Sequence, residues 1–115
     1  MNNGKQGNER IISRLSVEAM TTDQLTPAQK AASTFVDGFW DSNGWGFSVS
    51  IITRRVEMAT VPGCSGWSGG LGTSWRADPH EDVTVILFSQ RMFDSPLTPR
   101  QLTDFRTLAY AAIND

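Results

Sequence analysis

Apolar positions along the chain recur first at helical spacing, then alternate, then run together, and finally return to helical spacing. Leu15, Ala19 and Met20 fall on one helical face and Ser13 can cap it, which predicts a short helix over residues 14–22. Thr26-Pro27-Ala28-Gln29 repeats a helix start: the hydroxyl caps, Pro suits the first helical position and Gln can bond back, so a second helix runs to about Thr34. Asp41-Ser42-Asn43-Gly44 is turn chemistry, and beyond it the period drops to two. Phe47, Val49 and Ile51 alternate with Ser48 and Ser50, predicting a strand. Residues 54–58 either extend that strand past a bend or return as a weak second one. A Gly-rich run, 66–72, leads into a strand over 73–77. Val83-Thr84-Val85-Ile86-Leu87-Phe88-Ser89 is the clearest strand, apolar on both faces and therefore expected to be covered on both. Thr98-Pro99-Arg100-Gln101 opens a last helix with Leu102, Phe105, Leu108, Ala109, Ala112 and Ile113 on one stripe, which needs a sheet to lie on. The expected fold is α+β: an antiparallel sheet of about three strands with helices packed on it.

Composition narrows the picture. A chain of 115 residues is one domain's length, and 39% hydrophobic residues suffice for one modest core, which rules out disorder throughout. Residues 1–10 are polar and Gly/Asn-rich and are expected to form a flexible segment, leaving 11–115 as the domain. Ten Lys+Arg against twelve Asp+Glu leave no basic excess for nucleic-acid phosphates. The start of the chain has no apolar leader, and the longest apolar run is far shorter than the about 20 residues that span a bilayer. These features predict a soluble protein, cytoplasmic by default, with no membrane and no nucleic-acid partner.

The single Cys64 excludes an internal disulfide and a cysteine-based zinc site within one copy, and it is expected to be an inert small residue. Asp78, His80, Glu81 and Asp82 crowd into one connection, where a solvated turn is the expectation and no metal is predicted. The glycines of 66–72 lack the Lys-Ser/Thr of a phosphate-binding loop, and no cofactor is predicted. Trp40, Trp45, Trp67 and Trp75 are expected in core and rim packing, with sugar stacking the lesser reading. Tyr110 is expected to serve packing. Gly66-Trp67-Ser68-Gly69-Gly70 fits the G-x-S-x-G pattern of a nucleophile elbow, but a strand follows where that motif needs a helix.

Segments 17–25, 44–49, 66–75, 77–82 and 87–91 together resemble, in order, the C-terminal part of the serine β-lactamase-like family. That family comprises penicillin-binding-protein-like hydrolases, among them class C β-lactamases, DD-peptidases and esterases. The resemblance is carried by Trp67-Ser68-Gly69-Gly70-Leu71-Gly72-Thr73, then Asp78-Pro79, then the apolar strand that ends in Gln90-Arg91. It implies a C-terminal portion of the β-lactamase-like transpeptidase fold and acyl transfer through a serine in an S-x-x-K motif, assisted by a Tyr or Ser motif. Neither motif occurs in these residues: the lysines are Lys5 and Lys30, preceded at three residues by Asn2 and Pro27.

The resemblance places Trp67-Ser68-Gly69 where the family has K-T-G or H-T-G, lining the substrate pocket, and it implies that the Gly70 N–H is one oxyanion-hole donor. Trp in place of Lys removes a cationic partner for a substrate carboxylate, so an uncharged ester or amide is the implied substrate. One donor without a nucleophile does not turn over an acyl substrate, so the chain alone is expected to be inactive. The missing lobe would also leave a sheet edge open, which invites a homodimer. Two other readings follow from the residues themselves: a ligand- or protein-binding module built on 66–75 with no catalysis, and a small esterase using Ser68.

Overall fold

The computed structural model describes residues 2–113. The chain is α+β, with a five-stranded antiparallel sheet, a two-stranded ribbon and three α-helices. Strands β1 (Lys5–Gln6) and β2 (Glu9–Arg10) form the ribbon, fully exposed, where a frayed end was expected. Helix α1 (Arg14–Met20) starts as predicted, with the Ser16 N–H donating to Ser13 Oγ at 3.0 Å. Helix α2 (Pro27–Ala31) carries the expected Thr26/Gln29 capping box and stops at Ala31. Neither helix buries a residue, so neither covers the sheet. Instead Asp23, between them, accepts from the Trp45 N–H and pairs with Lys30, which pins this region against the edge of the sheet.

The sheet runs β3 (Asn43–Trp45), β4 (Ser50–Ile52), β5 (Ser65–Gly69), β6 (Thr73–Asp78) and β7 (Val83–Phe88) in sequence order. Two of these strands depart from the sequence pattern. Asn43 and Gly44, expected as a turn, form β3. Phe47 and Ser48, expected in a strand, form the β3–β4 turn, with Ser48 at φ +69° and the Gly46 N–H donating to the Val49 carbonyl. Alternation there reflected the turn's own exposure and not a pleat. Residues 54–58 are neither extension nor strand but a loop closed by the Thr60 hydroxyl, which accepts from the Val56 and Glu57 N–H groups.

Strand β7 is an edge strand and is not covered on both faces: Val85 is buried, whereas Ile86 and Phe88 are 53% and 81% exposed. Helix α3 (Arg100–Ala111) packs on the other face. Its N-cap is Pro99, without a side-chain cap, where Thr98 was expected. Its inward residues are Leu102 and Arg106, while Leu108, placed on the buried stripe by periodicity, is 70% exposed. The helix is rotated from the apolar stripe because the sheet face beneath it carries Ser74 and Asp78, which call for polar partners. A small apolar core of Ile52, Val61 and Cys64, with Tyr110 against it, sits at the end of the sheet where β4 meets β5.

Candidate functional site

Strand β4 registers only with the first half of β5, pairing Ser50 with Gly66 and Ile51 with Ser65. On its other side β5 is paired along its full length with β6, from Ser65↔Ala77 to Gly69↔Thr73. The second half of β5 therefore borders a cleft of about 700 Å³ rather than another strand, and Phe39, Trp67, Ser68, Gly70, Arg76 and Phe93 are among the residues lining it. Of the residues expected at a substrate wall, Trp67 and Ser68 reach the cleft, Gly69 lies half-buried between them and the turn, and Gly70 is exposed on its rim. The Gly70 carbonyl accepts from the Phe93 N–H at 2.8 Å, which ties the β5–β6 turn to the segment that leads into α3.

Trp67 holds its place through rings. Its indole meets Trp45 edge-on at 4.8 Å and Phe39 at 6.3 Å, and Phe35 and Trp40 complete the cluster. Aromatic edges pack against faces here, the arrangement the ring quadrupole favours, so these tryptophans form one wall rather than a row of free stacking faces. Trp75 stands apart, opposite Trp67 in register, and is 39% exposed.

Ser68 is held on the α3 side of the sheet. Its Oγ lies 3.0 Å from Ser74 Oγ, its partner across the β5–β6 register, and Arg106 Nη2 donates to both oxygens, at 2.6 Å and 2.7 Å. A guanidinium cannot take a proton from a hydroxyl at neutral pH. The strand-borne Ser68, next to a cation and followed by a turn and another strand, is not in the geometry of a nucleophile elbow. His80 is on the exposed β6–β7 turn, where its backbone N–H donates to Asp78 Oδ1.

Arg76, on β6, lines the cleft beside this group. Burial, and then the Arg106 charge, push its pKa down to about 10, and burial lowers Arg106 as well. Neither guanidinium has a carboxylate within ion-pair distance among the described residues, and the buried Arg76 Nη1 has no hydrogen-bond partner.

Behind the cleft, Asp78 is buried rather than solvated as the sequence suggested. It accepts from Tyr110 Oη at 2.6 Å and from the His80 and Glu81 N–H groups. Tyr110 thus does more than pack. Cys64 Sγ is 3.5 Å from the same phenol, and burial pushes the thiol up to about 11. Among the described residues no group of three or more His, Cys, Asp or Glu side chains lies together to hold a metal ion, and no helix is long and apolar enough to cross a membrane.

Sequence reasoning missed Arg76 and Arg106. A cation in an alternating strand reads as solvent-facing, but Arg106 stands four residues after Leu102, on the same helical face, and that spacing was the available signal.

No family model matches the chain. Two curated proteins from two strains of Mycobacterium tuberculosis, "Uncharacterized protein MT1414" and "Protein Rv1367c", are each 34% identical to it over 90 residues. The match covers 74% of this chain and 22% of each relative, so the chain spans well under a quarter of the length of the curated relatives it matches.

Proposed function

We propose that this chain is the C-terminal wall of a serine β-lactamase-like acyl hydrolase, acting in its complete form on an ester or amide through an acyl-serine, with the nucleophile carried elsewhere. The observation that carries this reading is the placement of Trp67 and Ser68 on a cleft along the half of β5 that β4 leaves uncovered, with Gly70 at the rim. Those are the residues that resemble the family's third motif, and the order that follows, β6, β7 and a C-terminal helix, is the order the resemblance implies. In this reading the Gly70 N–H is an oxyanion donor, and the matching relatives are long enough to carry the reactive half besides the matched segment.

A binding module without catalysis is the second reading, favoured by the cation rather than a base beside Ser68. A fluorophosphonate probe and a p-nitrophenyl ester separate the two. Full-length Rv1367c is expected to turn over the ester and take up one equivalent of probe, on a serine outside its 90 matched residues. This chain alone is expected to do neither. Failure of the relative to label, or an adduct on Ser68 here, overturns the proposal.

A further inference from the structure

The two arginines beside the cleft form a cationic centre that the acyl-transfer reading does not use. Arg76 reaches the cleft from β6, and Arg106 stands behind Ser68 from α3. Two guanidiniums this close repel, and a buried cationic N–H without an acceptor loses hydration with nothing in return. The carboxylates around them do not relieve this. Asp78, two residues along β6, is occupied by Tyr110 and two backbone N–H groups. Glu57 acts on both arginines only at a distance, from an exposed loop. The neighbouring Cys64 and Tyr110 are held neutral by burial.

The hydroxyls add a donor. Arg106 donates to Ser68 and Ser74, so both oxygens already accept, and one of the two hydroxyl protons is used in the bond between them. Ser74 is nearly enclosed and Ser68 faces the cleft. With Ser74 donating to Ser68, the Ser68 proton is turned outward, next to the free Arg76 nitrogen.

We infer that Arg76 and the Arg106-backed Ser68 form a binding site for a carboxylate, whose apolar body lies along Phe39, Trp67 and Phe93. Two donors and two positive charges fit the two oxygens of one carboxylate; a phosphate dianion would leave an oxygen without a donor. The site also revises the substrate expected from the sequence: Trp67 takes a cation away from β5, and β6 and α3 supply two. Nothing in it requires chemistry at Ser68, so it stands or falls apart from the hydrolase reading.

The test is binding, read from tryptophan fluorescence and from the melting temperature of the chain. Phenylacetate is expected to bind about tenfold or more tightly than phenylacetamide, as a charge-assisted hydrogen bond implies. Arg76→Gln should abolish that preference, while Arg76→Lys keeps part of it. Equal binding of acid and amide by the unaltered chain, or no binding of either, overturns the inference whether or not the variants fold. A preference that survives in a folded Arg76→Gln protein overturns it too. Loss of fluorophosphonate labelling in the relatives would leave these results untouched.

Discussion

Tyr110 Oη donates to Asp78 Oδ2 across 2.6 Å, and this bond ties the last turn of α3 to the end of β6. Asp78 is only 2% exposed, so the phenol is one of three donors that make its ionised form tolerable. Burial alone would raise the carboxyl; the Tyr110 hydroxyl and the His80 and Glu81 N–H groups outweigh it and hold the group below its ordinary range. A group with a lowered folded pKa contributes stability above its unfolded value, near 3.9, and loses it as pH falls through the folded value. Tyr110→Phe should therefore destabilise the chain by about 1–3 kcal/mol at pH 7 and flatten the decline in stability below about pH 4. Urea unfolding at a series of pH values measures both, and an unchanged acid slope would contradict the assignment.

Cys64 should behave as an inert thiol. Burial is the main cause of its rise to about 11, the Asp78 charge adds to it, and the Tyr110 hydroxyl partly opposes it. At pH 8 the thiolate needed for reaction is scarce and enclosed. Ellman's reagent is expected to leave the folded chain unmodified over an hour and to titrate one equivalent once it is unfolded. Rapid reaction of the folded protein would show that the Asp78–Tyr110 cover opens readily.

The long apolar strand and the last helix were legible because each repeats one period over many residues, and both short helices announced themselves through their caps. What escaped was set by contacts distant in sequence. β3 is a strand because Asp23 holds the Trp45 N–H and Asn43 pairs with Ile52, neither of which local turn chemistry reveals. At the site, Trp67, Ser68 and Gly70 could be named from their motif. Arg106 could not be assigned from periodicity alone, since its burial depends on two serine hydroxyls from β5 and β6. Asp78 was hidden for the same reason: a carboxylate before Pro79 in a polar run reads as a turn until Tyr110 arrives from α3.

Gly72 closes the β5–β6 turn at φ +96°, and a Cβ there would stand 2.2 Å from the Arg91 carbonyl oxygen. Both the conformation and the close approach demand glycine. The same turn sets the ends of β5 and β6, and Ser89 closes it by donating to the Gly72 carbonyl at 2.8 Å. Gly72→Ala is expected to cost more than about 1 kcal/mol, read as a lower urea midpoint, and to weaken phenylacetate binding by displacing the Gly70 rim. Gly70→Ala, with open space around the new Cβ, should change stability far less. Equal losses in the two variants would remove the turn from the argument.

Strand β7 gives the last prediction. Its outer edge pairs with no strand among the described residues, and its exposed face carries Ile86 and Phe88, with Trp75 opposite Ile86 in the register. Unpaired N–H and C=O groups beside an apolar band are a template for a second strand, and Val83–Phe88 contains neither charge nor proline to deter one. We propose that β7 pairs with β7 of a second copy. Sedimentation velocity should then show a sedimentation coefficient that rises with protein concentration, and Ile86→Lys should abolish the rise while moving the urea midpoint little, since the side chain is half in solvent. A chain that stays monomeric up to high concentration would sink the pairing. So would an Ile86→Lys variant that associates as before, because a lysine on every paired edge would place like charges side by side where the strands meet.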